Sequence, residues 1–242
     1  MTTVETPPRA PIRATLVGAG GLGGPIAIAL GRAGVELVIA DHDAVELSNL
    51  HRQIQFTSVD LGQPKATRLA GVVVARGGIA RGVATRWSAD TAEQLAGDAD
   101  VVLDASDDPD TKFAVADWAV AHGRAYVIAS ALRYGGNVMA GAPGAACFRC
   151  LFESPAGDVP SCADAGVLGP VVGAIGGIAA ALGLALARGD RQMSGALLVF
   201  DDLRRSAEPR IVRFAPRPGC PACRCAPIAP GLTATPVRVA EV

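Results

Sequence analysis

The sequence predicts an α/β fold, a Rossmann-like and mostly parallel sheet with covering helices, additional strands and a four-cysteine zinc site. Three observations lead to this prediction. Short apolar runs alternate with helix-like segments through the first half of the chain, the order typical of parallel sheets. A glycine-rich turn joins the first apolar run to the first helix, and two Cys-x-x-C pairs stand in the second half.

The length and charge of the chain limit the classes of protein to which it can belong. The chain has 242 residues, 50% of them hydrophobic, which suits one large domain or one domain with an appendage. It carries 22 basic and 23 acidic residues, so it lacks the basic surface of nucleic-acid-binding proteins. No secretory signal is visible, so we expect a cytoplasmic protein. We expect a disordered N-terminus at residues 1–12, one domain at 13–224 and a flexible tail at 225–242.

The first unit contains a glycine turn, Gly18-Ala-Gly-Gly-Leu-Gly23. It follows the apolar run Ala14–Val17 and opens a helix at Pro25–Ala33, which is the context that favours phosphate binding over a merely structural turn. After the next strand, Val35–Ala40, a carboxylate is placed to accept hydrogen bonds from ribose hydroxyls. The candidate nucleotide-binding residues of this unit are Gly18, Gly20, Gly21, Gly23 and Asp41.

A polar segment at residues 42–53 interrupts the pattern and is expected to line a site, because it is too polar for a core. A helix then begins at Gly62-Gln-Pro-Lys65, with Pro64 at its first position. Lys65 stands where the helix dipole disfavours a cation. It is therefore a candidate for contact with an anion, and the alternative is an exposed lysine that the helix tolerates.

Further βα units follow. We predict strands at Gly82–Trp87, Asp100–Asp104, Ala125–Ala129, Arg133–Gly141 and within 196–214, the last two less certainly parallel, and helices from Thr91 and over Pro109–His122.

Two acidic residues follow the strand that ends at Asp104, at the sheet edge where such folds place ligands. Asp107 and Asp108 have two interpretations: Mg²⁺ ligands beside a substrate phosphate, or a helix N-cap before Pro109. The residues alone do not decide between them.

The segment Ala165–Ala187 carries no charge and is long enough to span a membrane. It is rich in Gly and Ala and lacks the Leu, Phe, Trp and Tyr content of a typical span. We therefore predict a buried, closely packed helix and no membrane association.

The cysteines form two groups. Cys147, Cys150, Cys220 and Cys223 offer four thiolates in two Cys-x-x-C pairs, which predicts a closed, structural zinc site. Cys162 precedes the apolar helix and is either a nucleophile or a small buried residue. Cys225 is either incidental or a spare ligand.

Taken together, these motifs resemble the ThiF/MoeB/HesA family, the bacterial relatives of ubiquitin-activating E1 enzymes. The resemblance runs from about Arg13 to Cys223. Its parts, in chain order, are the glycine turn, Asp41, Ser48-Asn-Leu-His-Arg-Gln53, Gly62-Gln-Pro-Lys65, Ser106-Asp107, the first cysteine pair, Ser161-Cys-Ala-Asp-Ala-Gly-Val-Leu-Gly-Pro170 and Gly219-Cys-Pro-Ala-Cys223.

The resemblance implies ATP-dependent adenylylation of the C-terminal glycine of a ubiquitin-like sulfur carrier protein ending in Gly-Gly. It implies that Asn49, Arg52 and Lys65 hold the triphosphate, that Asp107 positions Mg²⁺, and that Cys162 forms a covalent link to the carrier in some members. It also implies a homodimer. Any sulfur transfer would then need a separate sulfurtransferase or cysteine desulfurase.

The chain departs from the family pattern in its short N-terminus, which lacks the usual arginine motif, in Asp108, where asparagine is usual, and in Lys112, where arginine is common. Three alternatives follow. The glycine turn with Asp41 also occurs in nicotinamide-dependent oxidoreductases, the departures fit a non-catalytic E1-like binding protein, and the same chemistry serves peptide adenylylation in natural-product pathways.

Overall fold

The computed structural model describes residues 10–154 and 166–224. Within these ranges, eight strands form one sheet: β1 Arg13–Val17, β2 Glu36–Ala40, β3 Ile79–Val83, β4 Val101–Asp104, β5 Ala125–Leu132, β6 Gly135–Gly141, β7 Ala196–Phe200 and β8 Arg210–Arg213. Their order is β3-β2-β1-β4-β5-β6-β7-β8. The first five are parallel, and β6, β7 and β8 pair antiparallel. The predicted mostly parallel sheet is therefore confirmed.

Helices cover both faces of this sheet: α1 Gly23–Arg32, α2 Lys65–Val74, α3 Ala89–Ala96, α4 Pro109–Ala121, α5 Phe148–Leu151 and α6 Gly169–Ala187. Successive strand residues point to opposite faces, so Leu103 packs with α1, α2 and α6 while Val102 packs with α3, α4 and α5. Two apolar cores result, one on each face.

Helix α6 is the uncharged segment noted in the sequence. It is long and apolar enough to cross a membrane, and here it lies against α1, β5 and β6. Close approach explains its glycines, because a Cβ on Gly183 would lie 2.8 Å from the Leu103 side chain and one on Gly176 would lie 2.9 Å from the Leu22 carbonyl oxygen. This matches the predicted closely packed helix.

Some boundaries differ from the prediction. Strand β3 ends at Val83 instead of running from Gly82 to Trp87, because Gly82 is an interior residue at which the α2 backbone leaves no room for a Cβ. Strand β6 begins at Gly135, two residues later than predicted, since Arg133 has φ 52° in the turn after β5. Ile12, inside the predicted disordered segment, packs against the core. Residues 1–9 and the predicted tail lie outside the described ranges.

The topology fixes where a ligand site belongs. From β1 the sheet continues to β2 and β3 on one side and to β4 and β5 on the other, so the strand order switches between β1 and β4. Open α/β sheets bind ligands at the carboxyl ends of the strands at this switch point. The glycine turn follows β1 and residues 105–108 follow β4, and a Cβ on Gly18 would lie 2.8 Å from the Ala105 carbonyl carbon.

Candidate active site

A cavity of 590 Å³ opens at the switch point. It brings together most of the residues that the sequence singled out for nucleotide binding, namely Gly18, Gly20, Gly21, Asp41, Asn49, Arg52, Lys65 and Asp107. Gly23 is buried in the first turn of α1, where a Cβ would collide with the Gly18 carbonyl oxygen. Gly23 was among the predicted nucleotide-binding residues, but it does not line the cavity, and its small size instead allows α1 to pack closely against the turn after β1.

The glycine turn has a defined conformation. Gly18 adopts φ 94° and its N–H donates to the Ala40 carbonyl at 2.8 Å. The Ala19 N–H donates to Asp41 Oδ2 at 2.6 Å. Within residues 10–154 and 166–224, the N–H groups of Gly20 and Gly21 donate to no acceptor. Free N–H groups just before a helix start suit a bound phosphate.

Asp41 stabilises this turn from the end of β2. Its Oδ1 accepts a hydrogen bond from the Asp43 N–H at 2.8 Å, and its Oδ2 accepts the one from Ala19. Burial raises the pKa of the Asp41 carboxyl, against the opposing effect of these two hydrogen bonds. The carboxylate lines the cavity and keeps lone pairs free for the ribose contact that the sequence predicted.

Lys65 is buried, with 6% of its surface exposed, so the alternative of an exposed, merely tolerated lysine is wrong. Its Nζ donates to Asp43 Oδ2 at 2.9 Å. Burial raises the pKa of Asp43, but the hydrogen bond and charge of Lys65 outweigh it, and the net pKa is lowered. An ammonium group held at the first turn of α2 in a cavity is well placed to bind an anion.

The polar segment after β2 supplies a second cationic group. Arg52 Nη2 donates to Asn49 Oδ1 at 2.8 Å, and Asn49 Nδ2 in turn donates to Glu46 Oε2 at 3.3 Å. All three residues line the cavity. This chain of hydrogen bonds orients the guanidinium before a ligand arrives, which reduces the entropy lost on binding.

The two acidic residues after β4 have different roles. Asp108 is the N-cap of α4, where its Oδ2 accepts hydrogen bonds from Thr111 N at 3.2 Å and Thr111 Oγ1 at 2.6 Å. Asp107 is exposed at the cavity, and within the described residues its carboxylate accepts no hydrogen bond. The structure therefore assigns the cap to Asp108 and leaves the oxygens of Asp107 available to Mg²⁺, which prefers such ligands.

A buried ion pair lies directly beneath this turn. Lys112 Nζ donates to Asp104 Oδ2 at 2.7 Å, to the Ser106 carbonyl at 2.7 Å and to the Ala129 carbonyl at 2.8 Å. An ammonium group has three donors, so Lys112 has none left for a phosphate. Burial raises the pKa of Asp104, and the charge of Lys112 opposes this. The pair joins the end of β4 to the middle of β5, next to the turn that carries Asp107.

Four further residues lie at or beside the site but were not named individually from the sequence: Asp43, Asp104, Gln53 and Gln55. Asp43 and Gln53 belong to the polar segment 42–53, which was expected to line a site. Asp43 and Asp104 each carried a signal, a carboxylate at the end of an apolar run or within three residues of it. Gln53 is 3% exposed and lines the cavity, and its Oε1 has no hydrogen-bond partner among the described residues. Nothing in the local pattern distinguishes Gln55.

The zinc prediction concerns a second location. Sulfur to sulfur distances are 3.7 Å for Cys147–Cys150, 3.6 Å for Cys147–Cys220 and 3.5 Å for Cys150–Cys223. A tetrahedral ion with Zn–S bonds of about 2.3 Å requires about 3.8 Å. The four thiols therefore fit zinc, and they join the segment after β8 to α5. Cys162 and Cys225 lie outside the described residues.

Comparison with known proteins supplies the family. The family model described as "ThiF family" matches residues 10–222. The chain belongs to the ThiF family. Among its ThiF-family relatives, it is 38% identical to the sulfur carrier protein adenylyltransferase of Thermus thermophilus over 86% of this chain and 80% of that protein. It is 37% identical to the SAMP-activating enzyme E1 of Haloferax volcanii, over 87% and 80% of the two chains.

Other similarities are partial or structural. The chain is 36% identical to the adenylyltransferase and sulfurtransferase MOCS3 of Dictyostelium discoideum over 86% of its own length and 51% of that protein. It therefore spans about half of this longer relative. A crystal structure of E. coli MccB with MccA-N7isoASN superposes with a TM-score of 0.75 at 18% identity, covering 88% of this chain and 67% of MccB. That likeness confirms the fold.

Proposed function

We propose that this protein adenylylates the C-terminal glycine of a ubiquitin-like sulfur carrier protein, using ATP and releasing pyrophosphate. The observation that carries the proposal is the cavity at the switch point, which is lined by Gly20, Gly21, Arg52, Lys65 and Asp107. The names of the Thermus and Haloferax relatives support the same activity.

The reaction suits this set of side chains. A carboxylate oxygen of the carrier forms a bond to the α-phosphorus of ATP, and the bond from that phosphorus to the bridging oxygen of pyrophosphate breaks. The carboxylate is already ionised at neutral pH, so no general base is needed. The main requirements are to align two anions and to stabilise the charge that develops on pyrophosphate.

Each charged group then has a defined role. Arg52, oriented by Asn49, and Lys65, held by Asp43, would contact the phosphates, and the N–H groups of Gly20 and Gly21 would receive one phosphate at the start of α1. Asp107 would hold Mg²⁺, which supplies positive charge to the triphosphate when bound. Cys147, Cys150, Cys220 and Cys223 would hold zinc as a structural brace.

The alternatives account for less of the molecule. A nicotinamide-dependent oxidoreductase would use the glycine turn and Asp41, but it leaves Arg52 and the buried Lys65 without a role. A non-catalytic protein has no need for a preoriented cationic cavity.

Four properties stay predictions: the choice of carrier, the role of Cys162, a separate sulfur donor and a cytoplasmic location.

We also propose a homodimer. Large apolar side chains are exposed before and after Arg52 in the sequence: Leu47 is 70%, Ile54 76% and Val59 80% exposed. Several large exposed apolar residues within one segment of the chain are consistent with an interface. Light scattering of Ile54→Glu should show a smaller mass than the wild-type protein, and a wild-type monomer would contradict the proposal.

Exchange of labelled pyrophosphate into ATP tests the activity. With zinc-loaded protein, Mg·ATP and a carrier ending in Gly-Gly, exchange should depend on the carrier. Removing the carrier's last glycine should abolish it. Absence of exchange with every Gly-Gly carrier tried would count against the proposal.

A further inference from the structure

Gln55 is buried beside the glycine turn, with 6% of its surface exposed. Its Nε2 donates one hydrogen bond to the Ala19 carbonyl at 3.0 Å and one to the Gly20 carbonyl at 2.9 Å. Gln55 itself does not line the cavity. Any influence on a ligand must therefore pass through the backbone that it holds.

The two acceptors define the orientation of two peptide groups. The Ala19 carbonyl belongs to the same peptide group as the Gly20 N–H, and the Gly20 carbonyl to the same group as the Gly21 N–H. In a planar trans peptide the C=O and N–H bonds point in opposite directions. Holding both carbonyls toward Gln55 therefore turns the N–H groups of Gly20 and Gly21 away from it, and both glycines line the cavity.

A buried amide at this position has a cost. Both N–H donors of the Gln55 amide are used, but its buried Oε1 has no hydrogen-bond partner within residues 10–154 and 166–224. An unpaired buried polar atom is destabilising. An apolar side chain of similar length would avoid that cost. Packing alone thus does not explain glutamine here, whereas control of the turn does.

We infer that Gln55 is a positioning residue that sets the phosphate-binding orientation of the glycine turn. The inference rests on the proposed function, since the phosphate is that of ATP. Without the amide, the Ala19 carbonyl loses its partner, whereas the Gly20 carbonyl still accepts a hydrogen bond from the Gly24 N–H at 3.0 Å. Rotation of the Ala19–Gly20 peptide group would then place a carbonyl oxygen, in place of the Gly20 N–H, toward the phosphate.

Gly24 gives a second way to perturb the same contact. A Cβ on Gly24 would overlap the side-chain amide of Gln55. Gly24→Ala would therefore displace the amide without removing it. Alanine favours a helix over glycine, and Gly24 lies in α1, so this substitution opposes any loss of helix stability. Gly71→Ala in α2 is the matched control, because a Cβ there meets nothing within 4 Å.

Titration calorimetry with Mg·ATP tests the inference on zinc-loaded protein. Gln55→Met keeps the side-chain length and removes both donors. Two lost hydrogen bonds predict a Kd for ATP weaker by on the order of 10- to 30-fold. Gly24→Ala should show a similar loss with an unchanged or higher melting temperature, and Gly71→Ala should bind as the wild type does. The Gln55→Met/Gly24→Ala double variant should be no weaker than Gln55→Met.

The outcomes separate the two proposals. If the wild type binds ATP and both variants bind it within about twofold of the wild type, Gln55 does not position the turn, while the proposed function stands. If the wild type binds no ATP, the proposed function fails and this inference fails with it. Should Gln55→Met not fold, Gly24→Ala alone decides, because it retains the amide.

Discussion

Replacing Lys112 by methionine tests the buried ion pair beneath Asp107. The substitution preserves most of the side-chain volume and removes the ammonium that donates to Asp104, Ser106 and Ala129. Asp104 is 0% exposed, so its buried carboxylate would lose its counter-ion and keep only the hydrogen bonds from Ser106. Breaking a buried ion pair in this way lowers the free energy of unfolding by about 3–5 kcal/mol. For a chain of this size the melting temperature should fall by about 6–20 °C.

The effect should depend on pH with a defined sign. Without Lys112, only the hydrogen bonds from Ser106 oppose the effect of burial, which raises the pKa of Asp104. A carboxyl whose pKa is higher in the folded protein than in the unfolded chain contributes stability at low pH that is lost as pH rises through the folded-state pKa. The deficit of Lys112→Met should therefore be large at pH 7 and smaller in acid.

Thermal unfolding of zinc-loaded wild type and Lys112→Met, followed by circular dichroism from pH 7 toward pH 5, measures this. Adding Asp104→Asn to the variant should recover part of the loss and remove the extra pH dependence. Arg76→Met, at an exposed position after α2, is the control. A Lys112→Met melting temperature within about 2 °C of wild type at pH 7 would refute the reasoning. Such a small shift implies that the free energy of unfolding fell by less than about 1 kcal/mol.

Three further predictions concern the sites. Lys65→Met should raise the KM for ATP by roughly 10- to 100-fold, the expected loss of a charged hydrogen bond, and an unchanged KM in pyrophosphate exchange would speak against a phosphate contact. Metal analysis should find zinc bound by the wild type and lost in Cys147→Ser with a lower melting temperature; equal zinc in both would exclude the four-thiolate site. Intact mass spectrometry of carrier reactions should show a covalent conjugate that Cys162→Ala abolishes if that thiol is used, and a conjugate that persists would assign the link elsewhere.

The sequence was most informative where local pattern determines structure. Alternating apolar runs predicted β1, β2 and β4 well, and the glycine turn predicted the start of α1, because these elements follow from short-range spacing. The prediction put Gly82 at the start of a strand, whereas in the structure it is the fourth residue of β3 and its lack of a Cβ permits contact with the α2 backbone. The contact between Gly82 and α2 depends on the tertiary structure, so the residues around Gly82 in the sequence do not indicate it.

The same distinction holds for the site. Lys65 and Asp107 were identified from their positions at element ends, and the structure places both at one cavity. The equal choice at Asp107 and Asp108 was resolved only by the hydrogen bonds to Thr111. Gln55 could not be predicted, since its role depends on carbonyl groups 35 and 36 residues earlier in the chain.

The most direct test of the central claim is the mass of a carrier protein ending in Gly-Gly after incubation with zinc-loaded enzyme and Mg·ATP. We predict a gain equal to one adenylyl group on the C-terminal glycine, dependent on Arg52 and Lys65. A carrier that stays unmodified while the protein demonstrably binds it and ATP together would contradict the account.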